Sequence, residues 1–183
     1  MKILYRLRGF VLGLWGLSVL PWPPALGWIP WLGAIVLLVA AAFLRVWARQ
    51  YIGGHTRQEA WAAPVLCTAG PYARLRHPLY ASNGLAGAAY AFLHLGPGCI
   101  WIAWCALLGL ILCLLALAED SWLRERFGLD WELWAQKVPF CGWARQASQG
   151  KPVRNVGMSM RSDAWTWFWW ASALALLALR KLL

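Results

Sequence analysis

Residues 70–80 read Gly70-Pro71-Tyr72-Ala73-Arg74-Leu75-Arg76-His77-Pro78-Leu79-Tyr80. A turn former, cations, a histidine and two phenols are packed into one short stretch. The chain then runs from Leu79 to Ala118 without a single Asp, Glu, Lys or Arg, broken only by Gly96-Pro97-Gly98, and ends in Glu119-Asp120. A three-residue Gly-Pro-Gly turn between two apolar segments reads as a tight reversal. The two segments therefore form an antiparallel helical hairpin with axes about 8–10 Å apart. Its two polar knots are expected at one end, within reach of one small ligand.

The rest of the chain fits this reading. Of 183 residues, 61% are hydrophobic and 13% charged, and mean hydropathy is +0.52; soluble domains carry about 25% charged residues. Several apolar segments approach the ~20 residues needed to span a bilayer. The expected fold class is all-α, a polytopic membrane bundle of about five transmembrane helices, with a cytoplasmic helix and loops capping the end where the two polar knots meet. The whole chain, 1–183, reads as a single domain, without repeats or linkers.

The first apolar segment runs from Ile3 to Leu20 and is stopped by Pro21-Trp22-Pro23-Pro24, because proline lacks an amide donor and restricts its predecessor. Its basic start and apolar body, with no convincing cleavage site before Pro21, read as a retained span and not a signal peptide. A second span runs from Trp28 to Trp47, with Arg45 and Arg49 at its exit. The third starts at Pro78, where a missing N–H costs nothing, and ends by Leu95; the fourth runs from Cys99 to Ala118. Ser121 to Gln136 has Trp122, Phe127, Trp131 and Trp134 near helical spacing among charges, an amphipathic helix able to cap a site. Ser148 to Met160 reads as a loop, and a last apolar helix runs from Ala164 to Leu179. Trp165, Trp167, Trp169 and Trp170 crowd its start as an interfacial belt would. Anchoring and packing account for most of the 16 tryptophans, although a few can line a cleft.

Net charge is +10. The cations cluster before the first span, between Arg45 and Arg76, and between Arg124 and Arg161, whereas the turns 21–30 and 95–99 hold none. This is the positive-inside bias, and it places the N-terminus and both polar segments in the cytoplasm. Arg180-Lys181 is the misfit; a fifth span would put it outside, unless the last helix is tilted or interfacial. No basic stripe on a soluble fold supports nucleic-acid binding, so no nucleic acid is expected as a partner. The five cysteines are odd in number and lack a Cys-x-x-Cys pair, so neither a disulfide framework nor a zinc site is expected.

Each polar candidate has a plain structural explanation. Arg76 and His77 can serve as an interfacial anchor. Glu119 and Asp120, read as lying at a helix C-terminus, oppose the macrodipole and call for a partner or a task; Arg124 and Arg126 are the nearest structural partners. His55, in a glycine-rich loop, reads as a surface residue, and His94 as interfacial. Gly84 and Gly87 would let a helix or a ligand approach the third span closely.

The spacing Gly-Pro-Tyr-x-x-x-Arg-His-Pro-x-Tyr over Gly70–Tyr80 resembles a signature of the isoprenylcysteine carboxyl methyltransferase and phospholipid methyltransferase superfamily. So does Glu119-Asp120-Ser121-Trp122-Leu123-Arg124-Glu125-Arg126-Phe127-Gly128, with Trp131, Trp134 and Val138-Pro139 after it. The resemblance covers about Arg45 to Pro139; the apolar helix of about 164–180 lies beyond it. Asp120 stands where Glu is usual, Ala81-Ser82 where a Gly is common, and Trp replaces Tyr after Gly128. The resemblance implies an integral-membrane enzyme using S-adenosylmethionine (SAM). Its cofactor pocket would draw on Tyr72, Arg76, His77, Pro78, Tyr80, Gly84, Glu119 and Asp120, with Arg76 on the cofactor carboxylate and the acids on its ammonium or ribose. Glu119 and Arg126 are the catalytic candidates, Arg126 orienting the acceptor and Arg124 its alternative. The expected partners are SAM, membrane lipids and a lipophilic or small-molecule acceptor: an isoprenylcysteine-like carboxylate, a phospholipid amine or a thiol. Two other classes compete. One is a non-catalytic membrane module binding anionic lipid headgroups. The other is a metal hydrolase built on His55, His77, Glu119 and Asp120, which lacks paired metal spacing.

Overall fold

The computed structural model describes residues 8–23, 25, 27–52, 65–145 and 150–182. Among them the fold is all helical. Seven α-helices occur: α1 (Arg8–Leu17), α2 (Ile29–Tyr51), α3 (Pro78–Leu95), α4 (Cys99–Phe127), α5 (Leu129–Lys137), α6 (Val156–Arg161) and α7 (Ala164–Leu182). A 3₁₀ turn, Gly70–Ala73, precedes α3.

Two helices are long and apolar enough to cross a membrane, α2 with 23 residues and α4 with 29. Of the expected first span, Arg8–Leu17 is helical, and its start lies outside the described residues.

The α3–α4 hairpin forms as its turn requires, with Gly96 at φ +72°. α2 packs along α3 as the most extensive pair of the fold. There the buried Ser82 hydroxyl donates to the Ala41 carbonyl at 2.9 Å. α1 lies against α3 and α4. Trp15 Nε1 donates to the Trp104 carbonyl at 3.2 Å, and a Cβ on Gly87 would sit 3.2 Å from the Trp15 ring and 2.4 Å from Leu108. A side chain there would have to displace the Leu108 methyl and press on the Trp15 ring.

Three boundaries differ from the sequence reading. The fourth span does not stop at Ala118. α4 continues two turns past Glu119-Asp120 to Phe127, so the acids lie within a helix and the macrodipole argument against them does not hold. Leu, Glu and Arg are good helix formers whether or not lipid surrounds them. The chain stops at Gly128, whose φ of +51° only glycine adopts easily, and this splits the expected helix 121–136 into the end of α4 and α5. Part of the expected loop 148–160 is helical: Asn155 caps α6, its side chain accepting from Met158 N at 2.8 Å. His94 is fully buried. Its Nε2 lies 2.8 Å from the Trp22 carbonyl, and its own carbonyl accepts from Ala25 N, so it ties the α1–α2 connection to the end of α3. His55 lies outside the described residues.

Candidate active site

Tyr72, Arg76 and His77 are placed by the 3₁₀ turn and the start of α3. Trp134 Nε1 on α5 donates to the Tyr72 carbonyl at 3.0 Å, and Ala144 N to the Arg74 carbonyl at 2.8 Å. Pro78 then opens α3 at its first position. The returning α4 brings Asp120 to the same point. Arg76 Nη1 donates to Asp120 Oδ2 at 3.0 Å, and His77 Nε2 lies 3.1 Å from Asp120 Oδ1. The two polar knots of the sequence are thus in direct contact.

The contact divides the acids into two jobs. Asp120 is buried and held by Arg76 and His77. Arg76 is itself fully engaged: its Nε and Nη2 donate to the Val138 carbonyl at 3.1 and 2.6 Å, and Nη2 also to the Ala135 carbonyl at 2.8 Å. Its guanidinium lies 5.6 to 5.9 Å from the rings of Trp131, Trp134 and Phe140. The expected pairing of Arg76 with a ligand carboxylate gives way to a clamp that docks α5 on the hairpin. The expected use of Asp120 as a ligand acceptor gives way likewise, because Oδ2 faces Arg76 and Oδ1 faces the His77 ring. Glu119, one residue earlier on the helix, is rotated by about 100° and reaches the wall of a cavity. Among the described residues its carboxylate has no hydrogen bond or ion pair.

That cavity has a volume of about 1370 Å³. Single-ligand sites run to roughly 1,000 Å³, so it exceeds the needs of one small molecule. Tyr72, Arg76, His77, Pro78, Tyr80 and Glu119 line it. Gly84 does not: it faces Leu112 of α4, so it serves helix packing. Asp120 and Arg126 do not line it either. Arg126 is exposed at the end of α4. Arg124 is exposed too, bonded to Glu132 at 2.9 and 3.1 Å, so it is neither the acids' partner nor an acceptor guide.

Tyr72 is 6% exposed, and its buried hydroxyl makes no hydrogen bond among the described residues. Burial first, then the nearby Cys67 and Glu119, push its phenol well above the ordinary value, although Arg49 and Arg45 pull the other way. It is therefore a neutral O–H donor facing a wall that also carries Glu119. Burial likewise pushes the Cys67 thiol up to about 11, which removes it as a nucleophile at neutral pH. Among the described residues no three His, Cys, Asp or Glu side chains gather to hold a metal.

A second polar cluster at the cavity was not anticipated. Arg45 and Arg49 line the cavity and converge on Asp163, which is fully buried between α6 and α7. Arg49 Nη2 donates to Asp163 Oδ1 at 2.8 Å, and Arg45 Nε to Asp163 Oδ2. Arg45 Nη1 also reaches Asn83 Oδ1 at 2.8 Å, and Nη2 the Thr166 hydroxyl at 3.0 Å. The i, i+4 spacing of Arg45 and Arg49 on a long apolar helix was the signal available in the sequence: two arginines on one face call for a common partner. Six tryptophans, Trp15, Trp122, Trp134, Trp165, Trp169 and Trp170, also face the cavity.

No family model, curated protein or solved structure matches this chain.

Proposed function

We propose that the protein is a membrane-embedded SAM-dependent methyltransferase acting on a lipophilic or small acceptor. The observation that carries the reading is the meeting of the two signature stretches, Arg76-His77 on Asp120, beside a cavity large enough for two ligands. The fit of the cofactor rests on Tyr72 and Glu119. Among the described residues the buried Tyr72 O–H lacks an acceptor and the Glu119 carboxylate lacks a donor, which suits a ligand that bears both acceptors and an ammonium or ribose donors.

SAM supplies a sulfonium-bound methyl group. The protein's part is to hold and align. Glu119 accepts from the ammonium or ribose, Tyr72 donates to a ligand oxygen, and Arg45 and Arg49 supply positive potential across the chamber. The Arg76–Asp120–His77 clamp keeps α5 over the chamber and so keeps water out. Alignment of nucleophile, methyl carbon and sulfur can supply up to about 7–11 kcal/mol of barrier reduction. A carboxylate or thiolate acceptor needs no base; an ammonium acceptor would need one, for which His77 lines the chamber with Glu119. On this reading the bundle crosses the membrane about five times, with the chamber on the cytoplasmic side where the cations gather.

Titration calorimetry of the purified protein with SAM and its demethylated product tests this directly. Binding in the micromolar range is expected, and no heat at millimolar ligand would reject the enzyme. Membranes given labelled methyl donor should yield a labelled lipophilic product.

A further inference from the structure

Arg74 differs from the arginines that line the cavity. Arg45, Arg49 and Arg76 each meet a carboxylate. Arg74 is partly buried, yet among the described residues its guanidinium meets no acceptor. Its Nε is shut off from water, which leaves Nη1 and Nη2 for a ligand. In place of an acid the cation has a ring, with Cζ 5.5 Å from the centre of Trp143. Trp143 is 51% exposed. The next residue, Ala144, holds it there: Ala144 is buried and donates its N–H to the Arg74 carbonyl at 2.8 Å. The row of rings continues onto α2. Trp143 lies 6.2 Å from Trp47, and Trp47 lies 6.2 Å from Phe43. Phe43 is 70% exposed, and Val39 and Val36 extend the same bare strip at 64% and 61%. Spacings of three, four and four from Val36 to Trp47 keep the strip on one helix face. It is about 16 Å long, close to the depth of one leaflet, half of a ~30 Å hydrocarbon core. None of these six residues lines the chamber.

We infer that this row is the binding site of one net-anionic phospholipid, with its phosphate on the Arg74 guanidinium and an acyl chain along Phe43, Val39 and Val36. The apolar strip alone would take any hydrocarbon; the cation at its head decides. A guanidinium without an acceptor is stabilised by an anion brought to it, and its planar fork matches two phosphate oxygens. Trp47 and Trp143 sit between cation and strip, the level that amphipathic rings take beside headgroups. A zwitterionic head would set its own cation beside Arg74. Arg145, exposed two residues after Trp143, has no ion pair among the described residues and favours a negative head as well. Free phosphate would leave the strip bare. A lipid seated here bridges α2 to the segment after α5, where the Val138 carbonyl receives Arg76. It therefore ties the cap to the bundle from outside the chamber, whatever the chamber binds.

Native mass spectrometry of the full chain, released from detergent and titrated with phosphatidylglycerol, phosphatidylcholine or inorganic phosphate, tests this without SAM. One saturable phosphatidylglycerol adduct on the monomer is expected. Phosphatidylcholine should bind more weakly, and inorganic phosphate should neither bind nor compete. Arg74→Gln should weaken the adduct by about tenfold, the loss of a charge-assisted bond. Trp143→Ala should weaken it by about threefold, the loss of an exposed cation–π contact. Arg161→Gln removes the same charge from an exposed position on α6 and should leave the affinity unchanged. In the wild-type protein, which needs no variant to fold, phosphatidylglycerol with a diazirine in its chain should label Val36, Val39 or Phe43. Equal losses in Arg74→Gln and Arg161→Gln would reduce the effect to net charge and overturn the site. So would competition by free phosphate, equal binding of the two lipids, or a dimer that takes up no lipid. Labels spread evenly onto outward residues of α4 such as Leu110 and Leu114 would overturn it too.

Discussion

Two aspartates, each held by two basic side chains, brace the helices around this cavity. Asp120 receives Arg76 and His77 at the base of a hairpin whose turn was visible from the start. Asp163 receives Arg45 and Arg49 across helices far apart in the chain. The first joins groups that also have carbonyls to fall back on; the second lies where side-chain exposure is 0% at the acid and under 10% at both cations. The difference teaches that the two centres, alike in composition, carry different loads. The Asp163 centre ties α2 to α7, whereas the Asp120 centre positions a cap and, among the described residues, leaves its neighbour Glu119 unpaired.

The largest effect should come from Asp163→Ala, which strips two buried guanidiniums of the carboxylate they share. Removing one member of a buried ionic group costs about 3–5 kcal/mol. Thermal unfolding in detergent should show a drop of many degrees or no folded protein. A melting point within a degree or two of wild type would place the α2–α7 brace elsewhere.

Asp163 also predicts how the protein responds to acid. Its arginine partners outweigh burial and bring its carboxyl from 3.8 to about 2. The folded value is the lower one, so the ionised form is the stabilised one. Stabilisation is complete above about pH 4 and is lost as pH falls toward 2, by roughly 2 kcal/mol. Melting points followed from pH 5 to pH 2.5 should fall, and Asp163→Asn, less stable throughout, should lack this part of the slope. Equal slopes in the two proteins would assign the acid response to another group.

Asp120→Asn should cost less, about 1–3 kcal/mol, because Arg76 keeps the carbonyls of Ala135 and Val138. Its mark should be on the cap: α5 amides should exchange faster with deuterium while those of α2 and α7 do not. Uniform loosening of the whole bundle would erase the distinction between the two centres.

How far each centre was legible follows from how its residues announced themselves. Pro78 and Gly96-Pro97-Gly98 fix a helix start and a reversal by local chemistry, and an antiparallel pair must bring its ends together. Hence the meeting of Arg76-His77 with the acids could be read without coordinates. The division of labour between Glu119 and Asp120 could not, since it depends on a helix that runs through them and not one that ends before them. Hydropathy marks where lipid-like sequence stops, and hydrogen bonding along a helix has no reason to stop there. Arg45 and Arg49 were already explained by charge bias at a membrane face, so nothing pressed for a partner. Asp163 was hidden at the edge of a tryptophan-rich helix, where pairing over such a separation is a matter of tertiary packing. Arg126 shows the opposite failure: spacing within a motif suggested a role, and the helical turn it occupies points it to the surface.

The smallest effect on stability and the sharpest on function belong to Glu119. Lacking a partner among the described residues, it should lose little when neutralised, and Glu119→Gln should melt within about 0.5 kcal/mol of wild type. Its proposed bond to a ligand cation is worth ~1.5–3 kcal/mol, so SAM binding should weaken by about tenfold to a hundredfold. Asp120→Asn should show the converse ratio, losing stability first and affinity only as the cap loosens. Normal SAM affinity in a folded Glu119→Gln protein would move the cofactor off this wall of the cavity, and Arg45 and Arg49 would become the residues to change next.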